Sequence, residues 1–148
     1  VESGLLRAYS IDSSSKEHVI QFAPEGWIIT DRSSVFFNEP SDYSIETIEP
    51  STVIYFSPDF TKKAVEISQA FRSYNERLLQ NHIRQLQRRI QLLLQASAEE
   101  RYLDFISIYP DLLLRVPQWM IASYLGITPE SLSRVRKELA KRNFSPNS

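Results

Sequence analysis

The chain has 148 residues, of which 42% are hydrophobic and 24% charged, and a formal net charge of −1. That balance suits a folded globular chain with room for one ordinary domain, or two small ones sharing a helix. Cysteine is absent and only His18 and His82 are available as imidazoles, which excludes disulfides, thiolate zinc sites, iron–sulfur clusters and cysteine nucleophiles together.

The front of the chain alternates in the manner of strands. Residues 5–11 form a short run that ends in the polar Asp12-Ser13-Ser14-Ser15. In the next run His18, Ile20 and Phe22 face one way and Val19, Gln21 and Ala23 the other. Pro24-Glu25-Gly26 makes a turn, and Trp27-Ile28-Ile29-Thr30 reads as a further strand. A looser stretch holding Asn38-Glu39-Pro40 follows, residues 43–48 alternate again, and Pro50-Ser51 leads into a last strand over residues 52–56. Short strands turned at close intervals predict an antiparallel barrel or roll. Val1 is not an initiator Met and lies almost inside a strand, so earlier strands of that roll are expected upstream.

From about residue 58 the period becomes helical. Ser57-Pro58-Asp59 is a helix start with proline at the first position. A long helix is expected over residues 71–95, where Leu79, Ile83, Leu86, Ile90 and Leu93 recur at spacings of four, three, four and three. That is a two-heptad seam suited to a second copy of the chain, although a helix lying on its own sheet would show a similar stripe. Ser97-Ala98-Glu99-Glu100 is a capping box for a fresh helix that Pro110 ends.

The segment from Val116 to Leu139 carries the most information. Pro117 opens a helix with Met120, Ile121, Ala122 and Leu125 on its inner face. Gly126 supplies a left-handed turn, Thr128 caps the next helix, Pro129 takes its first position, and Leu132, Val135 and Leu139 face inward. Small Ala122, Gly126 four residues on, and Leu132 and Val135 after it are what a helix-turn-helix requires. Glu130, Ser131, Arg134 and Lys137 share the outer side of the second helix, and their chemistry suits base edges in a major groove. The plain alternative is a solvated face with Glu130 and Arg134 paired one turn apart. Local charge favours DNA: residues 71–96 carry +4 and residues 128–148 carry +3, whereas residues 1–70 are acidic.

Several stretches resemble the Crp/Fnr superfamily of bacterial regulators. Gly4-Leu5-Leu6-Arg7-Ala8-Tyr9, residues 16–22 and Pro24-Glu25-Gly26-Trp27 look like the later strands of its cyclic-nucleotide-binding-like roll. Gln87-Arg88-Arg89-Ile90 resembles part of its dimerisation helix, and residues 98–102 and 116–136 resemble its DNA-binding module. The resemblance implies an α+β chain: a partial antiparallel β-roll (a double-stranded β-helix) over residues 1–62, a long dimerisation helix over 63–96, and a C-terminal helix-turn-helix domain over 97–148. It also implies a homodimer on double-stranded DNA, seamed through Leu79, Ile83, Leu86, Ile90 and Leu93, and a small-molecule effector. Glu130, Ser131 and Arg134 are the expected base readers, with Gln118, Thr128, Arg136 and Lys137 as phosphate contacts. Glu130 and Arg134 match the family's pattern, but Pro129 stands where its first base-reading Arg would be, so a different sequence preference is expected.

Effector contacts fall by the same resemblance on Thr30, Asp31, Tyr43 and Ser44. The family's cyclic-nucleotide binders have Gly-Glu and Arg-Ser or Arg-Thr there, and a tyrosine brings no charge to a phosphate. No cAMP, other cofactor or metal is therefore expected. Only four residues follow Phe144, so the family's C-terminal wing hairpin is expected to be absent or cut off. No membrane-length apolar run and no basic-then-apolar leader occur, so a cytoplasmic protein is expected. Two rivals stay open: a ligand-binding roll whose helices contact protein, and a cupin-type enzyme, for which the roll offers only His18 as an imidazole ligand.

Overall fold

The strand-forming front yields three strands and a short helix: β1 (Leu6–Ile11), β2 (Glu17–Ala23), α1 (Arg32–Phe37) and β3 (Ser44–Thr47). Six further helices follow among the described residues: α2 (Pro58–Ile67), α3 (Gln69–Gln95), α4 (Ala98–Ile108), α5 (Leu112–Arg115), α6 (Gln118–Leu125) and α7 (Pro129–Phe144). The computed structural model describes residues 1–144, with side chains as far as Arg142; the expectation about a wing concerns chain outside the described residues. The strands form one antiparallel sheet in the order β2-β1-β3.

Two compact units divide the chain, one made of residues 1–8 and 22–90, the other of residues 9–21 and 91 onward. In the first unit Leu5, Leu6, Ala8, Phe22 and Ala23 are buried. Ile48 donates its N–H to the Leu5 carbonyl at 2.8 Å. Across the strands, the Arg7 guanidinium, buried along its length, donates through Nε to Glu46 at 2.7 Å.

Two expected strands do not form. Residues 27–30 pair with no described strand; at their start Trp27 accepts from the amino terminus of Val1 at 2.8 Å. Directly afterwards Asp31 accepts from the N–H groups of Ser33 and Ser34 and caps α1, so a helix start cuts the run short. Residues 52–56 have the right composition, but only Thr52 pairs, in an isolated bridge with Ser3. Val53, Ile54, Tyr55 and Phe56 are exposed with no described strand beside them. A strand is a pairing as well as a pattern.

The helix starts behave as their residues require. Ser57 caps α2 through the N–H of Phe60, with Pro58 in the first turn. Ser68, in an extended conformation, separates α2 from α3 and accepts from Phe71 at 3.2 Å, so the long helix begins at Gln69 rather than Phe71. Ser97 and Glu100 form the reciprocal capping box at the head of α4. α5 is a single turn with Leu112 buried, a segment whose sequence carries no helical period.

In the second unit α4, α6 and α7 pack on one another. Phe105, Tyr109 and Tyr124 form its aromatic centre, with ring centroids 5.3 to 5.9 Å apart. Val19, at the tip of the β1–β2 hairpin, is buried along with Leu112, Ile121 and Leu132.

Candidate nucleic-acid interface

The turn between α6 and α7 is fixed by local chemistry. Gly126 adopts φ +66°, where a side chain is strained. The N–H of Ile127 reaches back to the Ala122 carbonyl at 3.0 Å and that of Gly126 to Ser123 at 3.1 Å, which satisfies the carbonyls that the end of α6 would otherwise leave open. Three residues on, the Thr128 hydroxyl accepts from the N–H of Ser131 at 3.2 Å, and Pro129 opens α7. Ile121, Ala122 and Leu125 on α6 and Leu132 and Val135 on α7 are buried. Small Ala122, 1% exposed, lets the two helices approach closely.

With that side closed, the other side of α7 is open. Glu130, Arg134 and Lys137 are exposed, as are Thr128 in the turn and Gln118 at the head of α6, while Ser131 and Arg136 are half-buried. All seven residues expected to meet DNA thus lie on α6, the turn or α7. Glu130 does not pair with Arg134. Its carboxyl is held below the usual range by its own backbone N–H and by the Thr128 hydroxyl. The Arg134 side chain makes no hydrogen bond or ion pair with any described residue.

Two arginines brace this module, and neither stood out in the sequence. The Arg101 guanidinium donates to the carbonyls of Leu92, Leu93, Ala96 and Leu125, each at 3.1 Å. It thereby caps the end of α3 and the end of α6 with one positive charge, where both helices present partial negative charge. Arg142, near the end of α7, grips Glu99 in the first turn of α4 through two bonds of 2.7 and 3.0 Å. Arg101 lies in the stretch quoted for the family resemblance, but its partners are up to 24 residues away, and no local pattern exposes such a contact.

The four residues expected to meet an effector are placed unevenly. Asp31 is buried, and its carboxylate accepts from Ser33, Ser34 and the Ser41 hydroxyl. Ser41 holds it below the usual carboxylate range most strongly. Ser41 also donates to the Tyr43 carbonyl at 3.0 Å, so Asp31 and Tyr43 meet through it. Thr30 and Ser44 are exposed and make no side-chain bond to either. Asp31 therefore acts as a helix cap here. His18 is exposed and 2.7 Å from Asp12, and His82 is half-buried on α3; among the described residues no group of three or more acids and imidazoles is placed to hold a metal.

Solved structures superpose on the whole of this architecture. FixK2 from Bradyrhizobium japonicum aligns with 100% of this chain and 76% of its own, at 18% identity and a TM-score of 0.71. A transcriptional regulator of the Crp/Fnr family from Eubacterium rectale aligns with 100% of this chain and 71% of its own, at 17% identity and a TM-score of 0.68. This is a Crp/Fnr-like fold. The c-di-GMP-responsive global regulator CLP of Xanthomonas campestris shares it, at 17% identity and a TM-score of 0.54, over 100% of this chain and 79% of its own. No family model matches the sequence, and no curated protein does. Within the Crp/Fnr-like fold, no helix among the described residues is long and apolar enough to cross a membrane.

Proposed function

We propose that the chain is a sequence-specific DNA-binding transcription regulator that works as a homodimer. The observation that carries this is the outer side of α7: Arg134 exposed and its side chain without a partner among the described residues, Glu130 turned toward the cap, on the second helix of a helix-turn-helix whose inner side is closed. In this reading Glu130, Ser131 and Arg134 face base edges, and Gln118, Thr128, Arg136 and Lys137 meet phosphates. Glu130, ionised at neutral pH, can accept from a cytosine amino group, and Arg134 can donate two bonds to a guanine.

Residues 1–62 form the sensing roll in this proposal, 63–96 the dimerisation helix and 97–148 the DNA-binding domain. At ~1.5 Å per residue α3 is roughly 40 Å long, and its seam is half-buried at Leu79 and exposed at Ile83, Leu86, Ile90 and Leu93. A second copy would cover that stripe. The roll would carry an effector, and the name of the Xanthomonas regulator makes a cyclic dinucleotide one class to test. A cytoplasmic location accords with a regulator of this kind.

Replacing Arg134 by alanine should weaken binding to the preferred site by ~1–3 kcal/mol, roughly 5- to 150-fold, and relax preference at one base pair while random DNA is bound almost as before. Fluorescence anisotropy on the preferred and a scrambled duplex checks this, and equal losses on both would remove Arg134 from base reading. Exposed Leu103, Leu114 and Trp119 on α4 to α6 favour a second reading in which these helices contact protein. Salt separates the two, because phosphate contacts make DNA affinity fall steeply between 50 and 200 mM salt.

A further inference from the structure

The β1–β2 hairpin is divided: its root lies in the first unit, while its tip, residues 9–21, belongs to the unit that contains α6 and α7. A hydroxyl on α6 bonds to the tip at two points. Ser123, in the second turn of α6, accepts from the N–H of Val19 at 2.9 Å and donates to the carbonyl of Glu17 at 3.2 Å. Those two groups lie on one edge of β2, since residues two apart in a strand point their main-chain groups the same way. β2 is an edge strand of the sheet, so Ser123 stands where a neighbouring strand would otherwise bond.

The tip is built stiffly enough to hold such a contact. Asp12 accepts from the N–H of Ser14 at 2.8 Å, from its hydroxyl at 2.6 Å and from the N–H of Lys16 at 3.1 Å, and faces His18 at 2.7 Å. The Val19 side chain beside the latch is 2% exposed. On α6, Ser123 sits next to Ala122 and Tyr124, the first closing the approach to α7 and the second part of the aromatic centre. Its carbonyl also accepts from Gly126 in the turn.

We propose that Ser123 is a positioning residue, a hydroxyl latch through which the β1–β2 hairpin holds α6, and with it α7, in the orientation that reads DNA. The proposal rests on the DNA-binding reading above, and extends it by naming the element that controls the reading helix. An effector that displaces the hairpin would then alter DNA affinity by opening two hydrogen bonds, without contact to α7 itself.

The test compares the full chain with its Ser123→Ala and Ser123→Thr variants by two measurements: amide hydrogen exchange at Val19, and affinity for a duplex selected from a random pool. Ser123→Ala should speed exchange at Val19 and weaken DNA binding roughly 5- to 30-fold, the equivalent of ~1–2 kcal/mol for the lost bonds. Ser123→Thr, which keeps the hydroxyl, should restore both. Unchanged exchange at Val19 in the alanine variant would overturn the latch. Faster exchange with unaltered DNA affinity would overturn its control of reading. If the parent chain bound no duplex at all, the DNA-binding reading would fall and the control proposal with it, whereas exchange at Val19 would still report the contact.

Discussion

Four main-chain carbonyls converge on the guanidinium of Arg101, three from the exit of α3 and one from the end of α6. Hydrogen bonds to a charged donor are worth more than neutral ones, and stranding these carbonyls leaves them without a partner. Arg101→Met keeps the aliphatic stem and removes the donors. It should cost ~1.5–3 kcal/mol, seen as a midpoint lower by roughly 4–10 °C in thermal unfolding; a shift under a degree would show that solvent replaces the clamp. His82 gives a second check, through pH. Burial holds its pKa below the ordinary histidine value, and the nearby charge of Arg32 adds to this. The folded chain therefore favours neutral imidazole, while the unfolded chain takes up its proton near pH ~6.5. The stabilisation is complete above that pH and is lost as pH falls toward the folded value. His82→Gln should consequently flatten the decline in thermal midpoint between pH 7 and pH 5, and parallel slopes for the two proteins would contradict it. Residue chemistry was legible in the sequence where it is local. Gly126, Thr128 and Ser97 do what their neighbours dictate. Arg101 and Ser123 were not, because their partners are distant in the chain.

Helices proved more readable than strands, for a physical reason. A helix carries its own hydrogen bonds, so caps and period suffice to place it, as in α2, α4, α6 and α7. A strand needs a partner that the local pattern cannot name. Residues 5–11, 18–23 and 43–48 found one another as β1, β2 and β3, but residues 27–30 and 52–56 did not, although their composition is as strand-like. Short α1 was hidden because its cap, Asp31, also fits a turn. The seam on α3 can be tested at the same scale. Leu86, 44% exposed, lies at its middle. Leu86→Asp should convert a dimer to a monomer in analytical ultracentrifugation at micromolar concentration while the helical signal is kept, since a buried charge facing its twin is costly and an exposed one is not. A dimer that survives the change would place the contact elsewhere.

At the scale of the whole molecule, the sequence has an acidic front and a basic back, and the chain shares its fold with solved Crp/Fnr structures. The fold class was thus largely legible in the residues themselves. The face that would meet DNA was visible too, as residue types at helical spacing, but its openness was not: only the geometry separates Glu130 from Arg134 and leaves that guanidinium without a partner among the described residues. The hairpin tip, residues 9–21, clusters with the helix-turn-helix, a pairing that no local pattern names. Selection of bound duplexes from a random pool puts the account to its most direct trial. Two copies of the α7 surface related by a twofold axis should enrich an inverted repeat whose half-site centres lie about one helical turn, ~34 Å, apart. Enrichment of nothing, or of a lone half-site with no repeat, would contradict it.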